Sequence, residues 1–422
     1  MASPSTGRDR PLVAVLTPHW GIGTERGSIT RQVAGALACS TDVHVVTPDG
    51  RMPGTRRDSV FNVHRMATSE GDRSAVRRDL VLAALAASTP SDARQTSIEL
   101  DRLLDLDLVE PWSPARALLD DLRPDLVVLV DHRNIGGLAA VDQYDSGVPV
   151  VVLALAGDND HLSFSHFDPV PERASHILTV TETERCAIAG RFGREEITHR
   201  IGAPLAANAS AFSEPNPWVG DSEYLLVLTD RLSDDDHPQN ELARLTRLRF
   251  GDRPVGIAHT DGFFAWHEGR VNTGWPIERS SDLARLMAFA SVTVDLRFPE
   301  LYGRAAVESL LYGTPIVVPE HSLAREHAQR GRGGLWFADP AELIWCIETL
   351  LAPSVNESIR SQGRSYAEDE YGSTDRFIDR VTVACGLDVA NIPDVVRPGD
   401  PSDHSTDLPP ARPFDAVVPI PT

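Results

Sequence analysis

The hydrophobic positions of this chain fall into short apolar runs separated by stretches of helical character, and this order occurs in two segments. In the first segment the runs predict strands over Leu12–Leu16, Val43–Val46, Leu126–Val130, Val148–Leu155 and Ile177–Val180. In the second segment they predict strands over Tyr224–Leu228, Val255–His259, Val292–Leu296 and Ile316–Pro319. Strands that alternate with helices predict parallel sheets covered by helices, which is the α/β fold class.

A break in this pattern divides the chain. Residues 204–221 are rich in Ala, Ser, Asn and Pro and show no hydrophobic period, which predicts a linker. We therefore expect an N-terminal Rossmann-like domain over 11–203 and a C-terminal one over 222–387. Residues 1–10 and 388–422 are polar or rich in proline and lack periodicity, so we expect both to be disordered.

The charge of the chain excludes several classes of function. Its 422 residues carry 40 basic and 61 acidic side chains, for a formal net charge of −21, and every basic residue is an arginine. Such an acidic excess disfavours binding to nucleic acids and to anionic membranes. Because the sequence has no lysine, a P-loop lysine, a kinase strand lysine and a lysine Schiff base are excluded. Any phosphate must be held by arginine, backbone N–H groups or a metal.

The cysteines and the longest apolar run indicate where the protein works. The four cysteines are far apart and form no Cys-x-x-Cys pair, so we expect neither disulfides nor a cysteine metal site. The longest apolar run, Val148–Ala156, is too short for a membrane span, which takes about 20 residues. The first ten residues lack the apolar segment of a signal peptide. We expect a cytoplasmic protein without a transmembrane segment.

The most specific stretch of the chain is FPELYGRAAVESLLYGTPIVVP, residues 298–319. It predicts a loop, a helix over about 302–312, a Gly-Thr-Pro turn and a strand. Gly303, near the start of the helix, allows a ligand to approach the backbone, whose free N–H groups favour an anion. Glu300 precedes the helix, and Glu308 lies within it among apolar neighbours, where a carboxylate needs a partner such as sugar hydroxyls.

This stretch resembles the E-x7-E signature of the retaining nucleotide-sugar glycosyltransferases of family 4. The resemblance implies a GT-B fold, in which two Rossmann-like parallel-sheet domains face a cleft. It also implies that Glu300 contacts the donor sugar as a catalytic residue. Tyr302 and the backbone near Gly303 would contact the sugar or the diphosphate, and Glu308 would bind the ribose hydroxyls.

Further segments extend the resemblance over most of the chain. Leu226–Ser233 resembles a family strand that ends in Gly-Arg-Leu-Ser, which implies that Arg231 binds the diphosphate and takes part in catalysis. The loop with Gly21 and Gly23 follows the first strand, where the family has the glycine-rich loop near the donor diphosphate. Thr181–Arg185 resembles the family segment after the last strand of the first domain.

The acceptor side is less well marked. The family histidine after the fourth strand is not visible at Ala154–Gly157, although His161 is close, and we place Asp158 and His161 on the acceptor side. His132 also follows a strand, and we interpret it as a surface histidine.

The chain departs from the family pattern at the positively charged positions. The family lysine five residues after Arg231 is replaced by Asp236, and Leu296-Arg297 replaces the Pro-Ser before the signature. Arg304 occupies a position where the family has an apolar residue, and it is our candidate for the missing charge. The alternatives for Arg304 are exposure to solvent and an ion pair with Glu300 or with Glu308.

Two acidic segments leave a metal site open as an alternative. Asp234–His237 has the residue types of a Mg²⁺ or Mn²⁺ loop, and Asp158–Asp160 matches the Asp-x-Asp metal motif of the other major glycosyltransferase fold. That other fold has no pair of domains separated by a linker, and most acidic loops are simply solvated. We therefore predict no metal and no cofactor.

The predicted activity is transfer of a hexose, with retention, from a UDP- or GDP-sugar to a hydroxyl acceptor. The acceptor could be a small molecule, a glycan, a lipid or a protein. The alternative is a catalytically inactive relative that acts as a partner or sugar-binding subunit, which the missing lysine, the missing histidine and the acidic loop favour. A sugar-nucleotide epimerase on the same fold is a third reading, but no acid and base residues for it can be placed.

Overall fold

The structure is a computed structural model. It describes residues 10–18, 20, 25–48, 54–58, 60–66, 113–132, 134–145, 147–155, 172–205, 212, 219, 223–229, 238–259, 262–268, 271–277, 280–297 and 302–387. These residues form two α/β halves, and each half is built around one sheet.

The first sheet contains eight strands in the spatial order β3-β4-β2-β1-β5-β6-β7-β8. The strands are β1 (Leu12–Leu16), β2 (Asp42–Pro48), β3 (Gly54–Asp58), β4 (Phe61–Met66), β5 (Leu126–Val130), β6 (Val150–Leu153), β7 (His176–Thr179) and β8 (Thr198–Arg200). Every neighbouring pair is parallel except β3 and β4, which form an antiparallel hairpin. Strands β1, β5 and β6 are apolar at every position and fully buried, as expected for parallel strands with helices on both faces.

The second sheet contains seven strands in the order β12-β11-β10-β9-β13-β14-β15. They are β9 (Leu225–Thr229), β10 (Val255–His259), β11 (Phe263–Glu268), β12 (Val271–Pro276), β13 (Val292–Asp295), β14 (Ile316–Pro319) and β15 (Gly334–Phe337). The strands β10, β11 and β12 pair antiparallel, and all other neighbours are parallel.

The helices cover both faces of these sheets. In the first half they are α1 (Glu25–Ala38), α2 (Ser113–Leu122), α3 (Ile135–Tyr144) and α4 (Glu182–Phe192), with a short 3-10 helix at Glu195–Ile197. After β9 they are α5 (Pro238–Arg249), α6 (Ser280–Phe289), α7 (Arg304–Leu311), α8 (Arg325–Arg330), α9 (Pro340–Leu350), α10 (Pro353–Tyr371) and α11 (Thr374–Ala384). Within the described part of the chain, no helix is long and apolar enough to cross a membrane.

Each sheet has a point where the strand order reverses. In the first sheet this point lies between β1 and β5, and in the second sheet between β9 and β13. At such a point the connections leave in opposite directions, which opens a crevice at the carboxyl ends of the strands, where α/β proteins bind ligands. The crevice in each half is therefore the first place to look for a site.

The two halves are joined by packing as well as by the chain. Helix α11 lies last in the described sequence, yet it packs against α1 and β7 of the first half. Ile29 and Val33 of α1 belong to one buried apolar cluster with Phe377 and Val381 of α11. Residues 374–384 therefore contribute to the core beside the first sheet.

The predicted fold class of two parallel-dominated α/β sheets is confirmed. The runs of apolar residues predicted β1, β5, β10 and β14 with their observed bounds. Strands β3, β4, β8, β11, β12 and β15 were not predicted. Polar residues interrupt β3 and β4, and β8 has only three residues. The domain boundaries stay a prediction. Of the residues predicted to be disordered, 1–9 and 388–422 lie outside the described residues, as does most of the predicted linker.

Candidate active site

Helix α7, which carries the predicted signature, begins after Gly303. Gly303 is the N-cap and has a left-handed backbone, with φ 69° and ψ 53°. A Cβ atom on Gly303 would lie 2.8 Å from the Cβ atom of Ala324. Both observations require glycine, since other residues rarely adopt a positive φ and any side chain would collide here. The backbone at the start of α7 is thus held close to the loop that precedes α8.

Tyr302, the residue before Gly303, is held in place by contacts of its ring and of its carbonyl oxygen. Its side chain is buried, and its ring stacks on Tyr371 with 6.1 Å between centroids and an interplanar angle of 10°. Its carbonyl oxygen lies 2.5 Å from Nε2 of His327. The ring therefore faces the core, and Tyr302 positions the residue that caps α7.

Glu308 and Arg304 form an ion pair one turn apart on α7. The Nε atom of Arg304 lies 2.7 Å from Oε1 of Glu308, and the side chains are 44% and 19% exposed. This is one of the alternatives that the sequence left open for Arg304. Tyr312 lies next to the pair, and burial, followed by the charge of Glu308, raises its pKa to about 12. Glu308 is thus accessible to a ligand but already has a cationic partner.

A second arginine–carboxylate pair lies at the end of β13. Nε and Nη2 of Arg297 donate to Oδ1 and Oδ2 of Asp295, each at 2.8 Å. The Asp295 side chain is 2% exposed and that of Arg297 is 21% exposed. Because the pair lies directly at the carboxyl end of β13, it borders the crevice between β9 and β13.

The neighbouring strand ends carry another polar contact. Oγ1 of Thr229, the last residue of β9, lies 2.7 Å from Nδ1 of His259, the last residue of β10. Leu296 continues the pairing past β13, since its N–H donates to the carbonyl of Leu228 at 2.9 Å. The carboxyl edge of the second sheet is therefore polar at β9, β10 and β13.

The first sheet has a comparable pair at its own point of reversal. Asp131 follows β5 with a positive φ of 75°, and it is fully buried. Its Oδ2 atom lies 2.9 Å from Nη1 of Arg26 on α1. His132 is buried as well, so its interpretation as a surface histidine was wrong. A backbone strained at a non-glycine residue is common at functional sites, and Asp131 lies in the half that the sequence predicts to bind the acceptor.

The free N–H groups at the start of α4 are bound by side chains of the protein. Thr181 caps the helix by accepting from the N–H of Glu184 at 3.1 Å. Glu326 of α8 accepts from the N–H groups of Glu182 and Thr183 at 3.0 and 2.7 Å. A carboxylate from the second half therefore satisfies the positive end of a helix in the first half. No exogenous anion is needed at this helix.

Six of the predicted site residues cannot be placed. Gly21, Gly23, Asp158, His161, Arg231 and Glu300 lie outside the described residues, as do the acidic segments 158–160 and 234–237. Among the residues that the structure does describe, no group of three or more His, Cys, Asp or Glu side chains could hold a metal ion. The structure thus brings together Tyr302, Gly303, Arg304 and Glu308, and it adds Asp295 and Arg297, whose role the sequence did not indicate.

Comparisons with known proteins extend this picture. No protein-family model matches the chain. A GDP-mannose-dependent alpha-(1-6)-phosphatidylinositol dimannoside mannosyltransferase of Mycobacterium tuberculosis is 26% identical over 264 residues, which cover 56% of this chain and 68% of the relative.

Solved structures are similar over nearly the whole chain. Sucrose-phosphate synthase from Thermosynechococcus elongatus superposes with a TM-score of 0.56 at 13% identity, over 89% of this chain and 98% of that one. The Anabaena protein HepE in complex with UDP and glucose superposes with a TM-score of 0.56 at 14% identity, over 89% of this chain and 100% of that one. The chain has the GT-B fold of these proteins. The predicted likeness to nucleotide-sugar glycosyltransferases is confirmed.

Proposed function

We propose that the protein is a glycosyltransferase that takes a hexose from a UDP- or GDP-sugar and transfers it, with retention, to a hydroxyl acceptor. The observation that carries the proposal is the position of α7. Its glycine N-cap and its accessible Glu308 follow β13, the strand at the point of reversal of the second sheet. The GT-B fold and the similarity to a GDP-mannose-dependent mannosyltransferase support the proposal.

The donor would lie along the carboxyl edge of the second sheet. Glu308 would accept hydrogen bonds from the ribose hydroxyls, while the backbone at Gly303 would approach the diphosphate. Arg304 would then turn from Glu308 or share it with the ribose. Glu300 at the sugar and Arg231 at the diphosphate remain proposals from the resemblance.

The chemistry of such a reaction is dominated by the leaving group. When the bond between the sugar and the diphosphate breaks, negative charge grows on the phosphate oxygens. Preorganised N–H groups and guanidinium groups stabilise that charge most when water is excluded. The acceptor hydroxyl would attack from the face that the diphosphate leaves, which preserves the configuration of the sugar.

A second candidate function is a catalytically inactive relative. The observations that favour it are Asp236 in place of the family lysine and the ion pair that engages Arg304 with Glu308. Such a protein would bind a sugar or a partner enzyme without turning over a donor. The two candidates differ in one measurable property, which is release of nucleotide.

The experiment is incubation of the protein with UDP-glucose and with GDP-mannose, followed by NMR of the sugar released. We expect one donor to raise the melting temperature and to be slowly hydrolysed, with the first sugar released keeping the anomeric configuration of the donor. Release of the opposite anomer would contradict retention but leave transferase activity standing. Binding without hydrolysis, even after a screen of acceptors, would favour the inactive relative.

A further inference from the structure

The Asp295–Arg297 pair has features that an ordinary surface ion pair lacks. The carboxylate of Asp295 is almost completely buried, and Arg297 binds it through two parallel hydrogen bonds. The backbone N–H of Arg297 also donates a hydrogen bond to Oδ1 of Asp295 at 3.3 Å. Such a fork fixes the plane and the direction of the guanidinium group. The arginine is therefore held rigidly, while a fifth of its side-chain surface stays accessible.

The geometry of β13 places this guanidinium beside α7. Alternate residues of a strand face the same side, so Asp295 faces the side of Thr293. The hydroxyl of Thr293 accepts a hydrogen bond of 2.8 Å from Ser309 of α7, which identifies that side as the one that α7 covers. Helix α7 runs back along β13, so its start lies toward the carboxyl end of the strand, where Arg297 follows. The arginine and the glycine N-cap thus share one end of the sheet.

The composition of the chain makes arginines the residues to consider for a phosphate site. Because the sequence has no lysine, arginines must supply every permanent positive charge of a phosphate site. The side chain of Arg304 is 44% exposed and that of Arg297 is 21% exposed, so Arg297 is better shielded from water, which strengthens its interaction with a phosphate. Arg297 lies at the point of strand reversal, is oriented by Asp295 through Nε and Nη2, and keeps 21% of its side-chain surface exposed.

We propose that Arg297, oriented by the buried Asp295, binds the diphosphate of the nucleotide donor. This inference rests on the proposed function and names a residue of the same site. Asp295 is then a positioning residue, because it acts on the donor only through Arg297. A purely structural pair would contribute to stability but would not distinguish nucleotides by their number of phosphates.

The test is calorimetric titration of the whole chain with UDP, UMP, GDP and GMP. Charge-assisted hydrogen bonds of this kind are strong, so Arg297→Gln is expected to weaken binding of the preferred diphosphate by about tenfold or more. Its effect on the monophosphate with the same base should stay below about threefold, since one phosphate and its charge are absent. Arg249→Gln is the matched control, because Arg249 pairs with Glu348 at 2.8 Å at the end of α5, away from the carboxyl edge.

Folding of the variant is checked independently. Arg297→Gln leaves Asp295 buried without its cation, which is strongly destabilising. The double variant Asp295→Asn/Arg297→Gln removes both charges and leaves no buried ion, and it should show the same selective loss of diphosphate affinity.

Three results would overturn the inference. Diphosphate affinity within twofold of the wild-type value in the folded variant would make the pair structural only. Equal losses for mono- and diphosphates would mean that the pair shapes the site without contacting the diphosphate. If the wild-type protein binds none of the four nucleotides, the proposed function fails, and this inference fails with it.

Discussion

The Nε2 atom of His327 lies 2.5 Å from the carbonyl oxygen of Tyr302, the residue that precedes the N-cap of α7. A carbonyl oxygen only accepts hydrogen bonds, so the ring proton is on Nε2. The hydroxyl of Tyr366 then donates to Nδ1 over 3.2 Å. Burial is the main cause that lowers the pKa of His327, in keeping with a neutral ring. Since Glu326 next to it binds the start of α4, one short helix connects the candidate donor site to the first half.

Loss of the imidazole should therefore loosen both the fold and the site. His327→Ala would leave the carbonyl of Tyr302 and the hydroxyl of Tyr366 without this partner and would open a cavity. We expect the free energy of unfolding, measured in urea, to fall by about 3 kcal/mol. Tyr366→Phe, which removes only the hydroxyl, should cost about 1 kcal/mol. A loss below that of Tyr366→Phe would show that the contact with Tyr302 contributes little.

The stability of the protein should fall in mild acid. Burial is the first cause that lowers the pKa of His64, His199 and His327 below the ordinary value of 6.5. The unfolded chain therefore binds more protons than the native protein as the pH falls through the unfolded pKa, which favours unfolding. Urea unfolding at about pH 7.5 and pH 5.5 should show a lower free energy at the acidic value.

Replacement of two of these histidines tests whether they cause the pH dependence of stability. His44 lies beside His64, and His176 lies beside His199. The double variant His64→Gln/His199→Gln should lose part of the pH dependence while keeping cross-strand polar side chains. An unchanged slope of stability against pH would assign the dependence to other groups.

Gly303 should tolerate no side chain. Gly303→Ala combines a positive φ of 69° with a contact of 2.8 Å to Ala324. Gly193→Ala is the matched control, because Gly193 has a φ of 60° but no atom within 4 Å of the added Cβ. The control should lose about 1 kcal/mol, and Gly303→Ala should lose more and also bind UDP or GDP more weakly. Equal losses at the two glycines would show that the close approach to Ala324 is relieved without consequence.

Glu308 should act on the donor through its charge. Glu308→Gln is expected to weaken nucleotide affinity by about 1–3 kcal/mol, because a carboxylate that accepts ribose hydrogen bonds becomes a neutral amide. Glu368→Gln is the control, since Glu368 pairs with Arg364 at 2.7 Å with the same spacing of four residues. Both variants lose an i,i+4 ion pair, so a loss of nucleotide affinity in Glu308→Gln alone is assigned to the ligand contact. Nucleotide affinity that is unchanged in Glu308→Gln would remove this residue from the site.

The sequence predicted the part of the site that is formed by residues close together along the chain. The order of β13, α7 and β14, with Gly303 at the start of the helix, follows from short-range signals such as apolar runs, a glycine and a Gly-Thr-Pro turn. The ion pair of Arg304 with Glu308 was foreseeable as an alternative from the i,i+4 spacing. Nothing in that spacing indicates which of the two partners a ligand would displace.

The contacts that the sequence did not predict are long-range. Arg26 and Asp131 are 105 residues apart, and only the pairing of β1 with β5 brings them together. The capping of α4 by Glu326 likewise depends on how the two halves meet. For Arg297 a signal was available, since an aspartate two residues earlier ends a strand, but its burial could not be known from the sequence.

The most direct test of the account is a crystal structure of the protein with UDP or GDP bound. We expect the ribose hydroxyls within hydrogen-bond distance of Glu308 and the diphosphate between the backbone at Gly303 and the guanidinium of Arg297. A nucleotide bound at another edge, or crystals that take up neither nucleotide at saturating concentration, would contradict the site placed here and with it the proposed function.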